Sequence, residues 1–307
     1  GVESQGMMCS ARELGLGEDD AGIIELPLDA KIGASIVEVL GLNDPVLDLN
    51  ITANRGDCMG VLGIARDLAA AELGELVYSV PPEPQGTDET YPIRIEDAQG
   101  CPAFLGRTIR GVKNGPSPEW LQKTLTAAGM RPISLLVDCT NFATLGFARP
   151  AHVYDLKKLR GPIVVRRAKA GESFAALNEK TYTLTTADLV IADDSGVIGL
   201  AGIMGGSSTG VDETTTDILV ELALFDPLSI AQSGRRHQID SDARTRFERG
   251  VDTGMLLDAD CGLNMLILGE AGGKAGARHL VGAIPPAAPA VPPSSPSPPT
   301  WSTPPPN

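Results

Sequence analysis

The chain has 307 residues, of which 42% are hydrophobic and 21% are charged, so it is long enough for two or three soluble domains with ordinary cores. A formal net charge of -14 disfavours a protein that coats nucleic acid non-specifically, because most of the surface would repel phosphates. The five cysteines form no C-x-x-C pair, which argues against a zinc site or a disulfide framework and favours a reducing compartment. No apolar run approaches the ~20 residues that span a bilayer.

The N-terminal residues predict two incomplete domains. Residues 1–20 predict a short helix around Ser10 to Leu14 between glycine-rich turns, with too few apolar residues to fold alone. Residues 21–80 predict a small α/β domain, in which two strand-like stretches precede a helix from about Cys58 to Leu73. Some strands of this small domain are expected to be missing.

A polar, proline-bearing stretch at 81–90 predicts a linker to a larger domain at 91–275. Few long helices separate the strand-like stretches of that domain, which predicts a mostly antiparallel or mixed sheet. The fold class is therefore α+β, with mixed α and β content in several domains. Residues 276–307 are predicted to form a proline-rich, disordered tail.

The most informative stretch is 201–227, where a glycine-rich loop runs into an apolar strand that contains Glu221. In an alternating strand both faces would be buried, so Glu221 would lie on an apolar face. An unpaired carboxylate there costs on the order of several kcal/mol unless a donor meets it, and either a ligand or a nearby arginine could be that donor. The two predicted faces are Ile218, Val220, Leu222, Leu224 and Leu219, Glu221, Ala223, Phe225.

Other polar residues are candidates with two possible roles each. His152 lies in a predicted turn, where a histidine more commonly packs or hydrogen-bonds than catalyses. Asn141 lies among core-type residues of a predicted helix and could fix a loop or reach a ligand. The arginines of residues 235–249 could meet RNA phosphates or neutralise neighbouring acidic residues.

Four motifs in order carry a resemblance to a known family, the beta subunit of bacterial phenylalanine-tRNA ligase. They are ITANRGDCMGVLGIARDLAA, LLVDCTNFATLGFARPAHVYD, LAGIMGGSSTGVDETTTDILVELALFDP and RRHQIDSDARTRFERGVD. The resemblance covers Gly1 to about Ala275 and excludes the proline-rich tail. It implies that residues 1–20 end an OB-type tRNA-binding domain and that residues 91–275 form an editing domain. Such a domain hydrolyses tyrosine wrongly attached to the phenylalanine tRNA.

The matching motifs also imply site residues. His152 and Glu221 are the implied catalytic residues, and Glu221 is the implied reader of the tyrosine hydroxyl, since phenylalanine would leave the carboxylate unpaired. Ser241 stands where the family often has threonine. No metal motif or Ser-His-Asp arrangement is visible, so direct attack by water is expected. The implied substrate-binding residues are Gly202, Gly205, Glu221, Ser241, Ala243 and Asn141, and the expected RNA-binding residues are Arg235, Arg236 and Arg244.

For the complete enzyme the resemblance implies further components. They are ATP, Mg²⁺, tRNA(Phe) and an alpha subunit, in a cytoplasmic heterotetramer of two alpha and two beta subunits. No cofactor is expected for this stretch, because amino-acid activation belongs to the alpha subunit in the family. No metal or membrane contact is expected either. The alternative function is a non-catalytic scaffold that binds tRNA or docks another subunit.

Overall fold

The computed structural model describes residues 3, 6–17, 19–43 and 45–286. It divides into two units, Gly1–Leu49 and Asn50–Asn307, of which the second holds the candidate site. The predicted proline-rich tail beyond residue 286 lies outside the described residues. Within the described ranges, no helix combines the length and the apolar character needed to cross a membrane.

The first unit differs from the sequence prediction in its local structure. Its described residues form turns and one helix, α1 (Ile36–Val39). The predicted helix around Ser10 stops after one turn, although Ser10 N donates to Glu13 Oε2 at 2.9 Å, because Gly15 reverses the chain with φ of 69°. The strand-like stretches at 22–27 and 45–52 are not strands in the described chain, where no neighbouring strand accepts their backbone hydrogen bonds.

The second unit contains the remaining helices and all strands of the described chain, and it confirms the α+β fold class. The helices are α2 (Val61–Ala70), α3 (Glu119–Ala127), α4 (Leu135–Phe147), α5 (Pro227–His237), α6 (Asp242–Arg249) and α7 (Leu256–Ala271). The strands are β1 (Ile93–Ile95), β2 (Ala103–Arg110), β3 (His152–Asp155), β4 (Ile163–Arg167), β5 (Ser173–Ala175), β6 (Thr181–Thr183), β7 (Leu189–Asp193), β8 (Gly196–Leu200), β9 (Met204–Gly205), β10 (Asp217–Leu224), β11 (Lys274–Ala275) and β12 (His279–Gly282).

Two sheets organise this unit. The central sheet has the order β11-β2-β10-β3, with β12 also pairing to β2, and all of its pairs are antiparallel. The second sheet has the order β1-β4-β7-β8-β9, and only the β1–β4 pair in it is parallel. Strands β5 and β6 form a separate hairpin. The predicted mostly antiparallel arrangement is therefore confirmed.

Both faces of β10 are buried, as its alternating pattern predicts. Residues such as Val220 and Leu222 pack into a helical core, which we define as the buried cluster shared with α3, α4 and α7. Residues such as Leu219 and Ala223 pack into a sheet core, which is the buried cluster shared with the second sheet. The central sheet is thus covered on both sides, and Glu221 projects toward the sheet core.

The ends of the large domain differ from the predicted boundaries. The tail was predicted from residue 276, but β12 pairs with β2 from His279 opposite Gly106, because the edge of β2 offers free backbone partners. The predicted linker at 81–90 is also bound to the domain. Its Thr87 N donates to Ala275 O at 2.9 Å.

Candidate functional site

A cavity of about 90 Å³ lies at the face of the central sheet that carries Glu221. It is bounded by β3, β10, the glycine-rich loop after β8, and α6. Most of its wall is apolar, and its polar side chains are His152, Tyr154 and Glu221. The lining residues are Pro150, Ala151, His152, Tyr154, Ile191, Gly199, Leu200, Gly202, Ile203, Met204, Gly205, Glu221, Phe225, Ala243 and Phe247.

Glu221 occupies the middle of β10, opposite Gly106 on one side and His152 on the other. Its side chain is 5% exposed, and its Oε2 accepts a short hydrogen bond from the phenol O–H of Tyr154. The donor is therefore a neutral phenol rather than the arginine considered from the sequence. Burial raises the pKa of Glu221 to about 7, although the Tyr154 hydrogen bond opposes this rise. At neutral pH the carboxyl group is therefore divided between its protonated and ionised forms.

His152 is the first residue of β3 and not part of a turn, because β3 pairs with β10 from this position. Its ring centroid lies 4.5 Å from that of Tyr154 in an edge-to-face contact. Its Nε2 is buried and has no hydrogen-bond partner in the described part of the chain. Burial lowers the pKa of His152 to about 4, so its imidazole is neutral at neutral pH. Because this unpaired nitrogen is enclosed by the protein, a water molecule or a ligand reaches it only when the neighbouring groups move.

The glycines of the loop fit positions where a side chain would collide. Gly202 has φ of +65°, and a Cβ there would lie 2.9 Å from a ring carbon of Phe225. A Cβ at Gly205 would lie 2.5 Å from Cε1 of His152. The small residues of this loop are therefore required by packing against the cavity wall, and they bring backbone to its surface.

The start of α6 holds this loop in place. Ser241 is the N-cap of α6, where its Oγ accepts a hydrogen bond from Arg244 N at 3.1 Å. The same hydroxyl donates to Ile203 O in the glycine-rich loop at 2.8 Å. Ser241 therefore contacts the loop backbone and is not among the residues that line the cavity, whereas Ala243 lines it directly.

Asn141 does not line the cavity. Asn141 lies in α4, whose residues Leu136 and Cys139 pack into the helical core, and it is not one of the residues that line the cavity. Sequence reasoning missed Tyr154, by contrast, although a signal was present. Tyr154 lies two positions after His152, and strand periodicity places both side chains on one face.

The three arginines expected to contact RNA have different surroundings. Arg236 pairs with the fully buried Asp188, and Arg244 pairs with Glu248 at 3.0 Å. Arg235 is exposed, and its side chain has neither an ion pair nor a hydrogen bond to any described residue. The structure thus pairs Arg236 and Arg244 with acidic residues and leaves the guanidinium of Arg235 open to solvent.

Comparisons with known proteins agree with the motif resemblance. The B3/4 domain family matches residues 100–268, which contain the whole cavity wall. The chain is 55% identical over 282 residues to the phenylalanine–tRNA ligase beta subunit of Novosphingobium aromaticivorans, a match that covers 90% of this chain and 34% of that protein. It is 56% identical over 261 residues to the beta subunit of Nitrobacter winogradskyi, covering 84% of this chain and 32% of that protein. These similarities confirm the resemblance.

The chain spans about a third of the length of the curated relatives that it matches. A solved N-terminal fragment of the phenylalanyl-tRNA synthetase beta subunit from Pyrococcus horikoshii is a more distant likeness. It has a TM-score of 0.36 and 17% sequence identity, with 60% of this chain and 59% of that chain covered.

Proposed function

This chain belongs to the B3/4 domain family, and we propose that its cavity is the editing site of a phenylalanine–tRNA ligase beta subunit, where tyrosine is hydrolysed from mischarged tRNA(Phe). The observation that carries the proposal is the carboxyl group of Glu221, which is buried in a cavity whose wall is otherwise mostly apolar. A buried acceptor of this kind suits an aromatic ring that carries a hydroxyl group.

Selection follows from the difference of one hydroxyl between the two amino acids. The phenol of tyrosine donates to Glu221, whereas phenylalanine brings only carbon to the same place and leaves the acceptor unpaired. A site built to bind a hydroxyl can reject the analogue that lacks it by roughly 10⁴-fold, far more than an apolar pocket achieves from an added hydroxyl. Phenylalanine correctly attached to its tRNA is therefore spared.

Hydrolysis requires a water molecule near the ester carbonyl. The oxygen of the water forms a bond to the carbonyl carbon, the bond to the ribose oxygen breaks, and a proton passes from the water to that ribose oxygen. The unpaired Nε2 of His152 orients the water in this proposal, which requires the enclosed ring nitrogen to become accessible when the substrate binds. Burial lowers the pKa of His152 to about 4, so its imidazole is a weak base. Its main role is therefore to position the water and not to accept a proton from it.

The remaining components belong to the whole ligase. We assign the alpha subunit, ATP, Mg²⁺ and a cytoplasmic heterotetramer to that larger protein. Of the three arginines expected to contact RNA, Arg235 is the best placed to contact a tRNA phosphate, because its charge is exposed and not engaged by a described acid.

The test is a deacylation assay with the 307-residue chain. Tyrosyl-tRNA(Phe) and phenylalanyl-tRNA(Phe) are incubated separately with the chain and with its Glu221→Gln and His152→Ala variants. The expected result is hydrolysis of the tyrosyl ester only, loss of the tyrosine preference in Glu221→Gln, and slow hydrolysis by His152→Ala. His279→Ala is the control, because His279 lies on β12 outside the cavity and its loss should leave hydrolysis unchanged.

A non-catalytic scaffold is the second candidate, and exposed apolar side chains in the first unit favour it. Leu28 and Ile32 are fully exposed there, and Met7 and Met8 are each about three-quarters exposed. A folded chain that binds tRNA or the alpha subunit, but hydrolyses neither ester, would establish the scaffold and contradict the editing proposal.

The proposed RNA contact has its own measurement. Arg235→Gln should weaken tRNA binding and reduce the slope of log affinity against log salt concentration by about one, because one phosphate contact is lost. Arg131→Gln is the matched control, since Arg131 is also exposed but lies between α3 and α4. Equal salt dependence in the two variants would remove Arg235 from the tRNA interface.

A further inference from the structure

We propose that Tyr154 is a positioning residue for tyrosine selection: its phenol holds one oxygen of Glu221 and leaves the other oxygen as the acceptor that faces the cavity. The inference rests on the proposed editing function. It adds a residue that the sequence reasoning did not assign, and it makes the selecting group a pair of side chains instead of a single carboxylate.

The contacts of Glu221 carry this assignment. Tyr154 donates to Oε2, and both side chains are almost completely buried. Oε1 has no hydrogen-bond partner among the described residues. It is absent from the set of unpaired polar atoms that are fully enclosed, so it keeps some exposure. Since Glu221 lines the cavity, Oε1 is the oxygen that is open to it. One carboxylate oxygen is therefore held and the other is free.

The register of the strands fixes this geometry. Glu221 lies opposite His152, and Tyr154 lies opposite Leu219, so the phenol reaches Glu221 diagonally across the β3–β10 pair. The rings of His152 and Tyr154 pack edge to face, and this contact limits rotation of the Tyr154 ring. A buried phenol held in this way can orient the carboxylate at little additional entropic cost.

Other titratable groups near this pair do not replace Tyr154. The Cys101 thiol would act on Glu221 only through its charge, and only when ionised. Burial raises the pKa of this thiol, so it is neutral at neutral pH. Asp193, on β7, acts electrostatically on Tyr154 and disfavours its ionisation. His152 is neutral, because burial lowers its pKa to about 4. Tyr154 is thus the donor that Glu221 has within the described residues.

Two phenols donate most favourably to one carboxyl group when it is ionised, because both of its oxygens are then acceptors and neither carries a proton. The Tyr154 hydroxyl occupies Oε2, and the substrate hydroxyl then donates to Oε1. A protonated carboxyl group would present an O–H donor at one of these positions and disrupt the arrangement. Because the Tyr154 hydrogen bond lowers the pKa of Glu221 against the effect of burial, its removal favours the protonated form.

The first measurement needs no ligand. The titration of the Glu221 carboxyl carbon is followed by ¹³C NMR in the wild-type chain and in Tyr154→Phe, with Glu221→Gln to assign the signal. The midpoint is expected to rise in Tyr154→Phe. Tyr91→Phe is the matched control, because it also removes a phenol donor, whose bond to Gly161 O is 2.7 Å, but away from the cavity. An unchanged midpoint in Tyr154→Phe would overturn the inference.

The second measurement tests selection. Binding of tyrosyl- and phenylalanyl-adenosine, with an amide in place of the ester, is measured against pH. In Tyr154→Phe the tyrosine preference should fall by roughly tenfold at neutral pH and recover as pH rises, since the ionised acceptor then returns. A variant that was merely misfolded would show no such recovery, and near-ultraviolet circular dichroism checks the fold.

The outcomes separate the inference from the function on which it rests. If the wild-type chain prefers the tyrosyl amide and Tyr154→Phe keeps that preference with the same pH dependence, only the role of Tyr154 is overturned. If the wild-type chain shows no tyrosine preference, the editing proposal fails and the inference fails with it.

Discussion

The two faces of β10 differ in what they contribute to the molecule. The face that includes Val220 and Leu222 meets the helical core and is continuously apolar. The face that includes Leu219 and Ala223 meets the sheet core, but Glu221 interrupts it and the cavity opens there. One strand therefore supplies closed packing on one side and a cavity wall on the other. The comparison predicts that substitutions on the two faces affect stability and selection separately.

The neighbours of each face account for the difference. Leu222 lies opposite Leu105 on β2, so two large side chains meet on the helical side. Glu221 lies opposite Gly106, where a Cβ would approach the Ile93 side chain to 2.4 Å. The absence of a side chain at Gly106 leaves Glu221 without a bulky neighbour on β2, and its partner on the other side is His152.

The largest expected effect is on the helical face. Leu222→Ala should lower the free energy of unfolding by about 2–5 kcal/mol, because it creates a cavity in a fully buried position. Denaturant unfolding measures the loss, and the tyrosine preference of the molecules that remain folded should not change. Leu228→Ala is the control, since Leu228 is exposed. A lost preference in folded Leu222→Ala would show that the two faces are coupled.

The next effect is the pH dependence that Glu221 imposes on stability. The pKa of this carboxyl group is raised by burial from 4.5 in a free side chain to about 7 in the folded chain. The folded state therefore binds more protons than the unfolded state between these values, so the contribution is fully present below pH ~4.5 and is lost as pH rises through 7. The free energy of unfolding of wild type relative to Glu221→Gln should fall by about 3 kcal/mol from pH 4 to pH 8.

A carboxylate with the opposite shift provides the control for that measurement. The hydrogen bond from Arg166 lowers the pKa of Glu172 despite partial burial, so its contribution is present at neutral pH and is lost on acidification. Wild type relative to Glu172→Gln should therefore gain stability as pH rises from acid. Parallel stability curves for wild type and Glu221→Gln would contradict the raised pKa of Glu221.

A smaller effect is expected for the loop that borders the face with the cavity. Gly205→Ala should cost about 1–3 kcal/mol and slow tyrosyl-ester hydrolysis, because its Cβ displaces the His152 ring. Gly210→Ala is the matched control in the same segment, since the nearest contact of its Cβ would be Leu177 at an ordinary 3.5 Å. Thermal unfolding and the deacylation assay measure the two consequences. Equal behaviour of the two variants would mean that the ring moves aside freely.

The smallest effect is expected at the helix that holds the loop. Ser241→Ala should lower stability by about 1 kcal/mol, because it removes the N-cap of α6 together with the bond to Ile203 O. Ser241→Thr keeps the hydroxyl group and should keep most of the stability. If Ser241→Thr were as unstable as Ser241→Ala, the added methyl group would be the deciding factor.

Local patterns were sufficient for much of the fold. The alternation around Glu221 predicted both faces of β10. The start of α5 is likewise a local matter, since Asp226 accepts from Ser229 N as the N-cap and Pro227 follows it. The same kind of pattern failed at 22–27, because an apolar run becomes a strand only when another strand is present to pair with it.

The sequence by itself determined the alternation of β10, the burial of Glu221 and the glycine-rich loop beside it, because these depend on residues that are close along the chain. Only the tertiary structure decided which donor meets Glu221. Tyr154 lies 67 positions away, and it reaches the carboxylate because β3 pairs with β10 in one particular register. The same long-range pairing placed His152 at the cavity, and helix packing placed Ser241 against the loop and Asn141 outside the cavity wall.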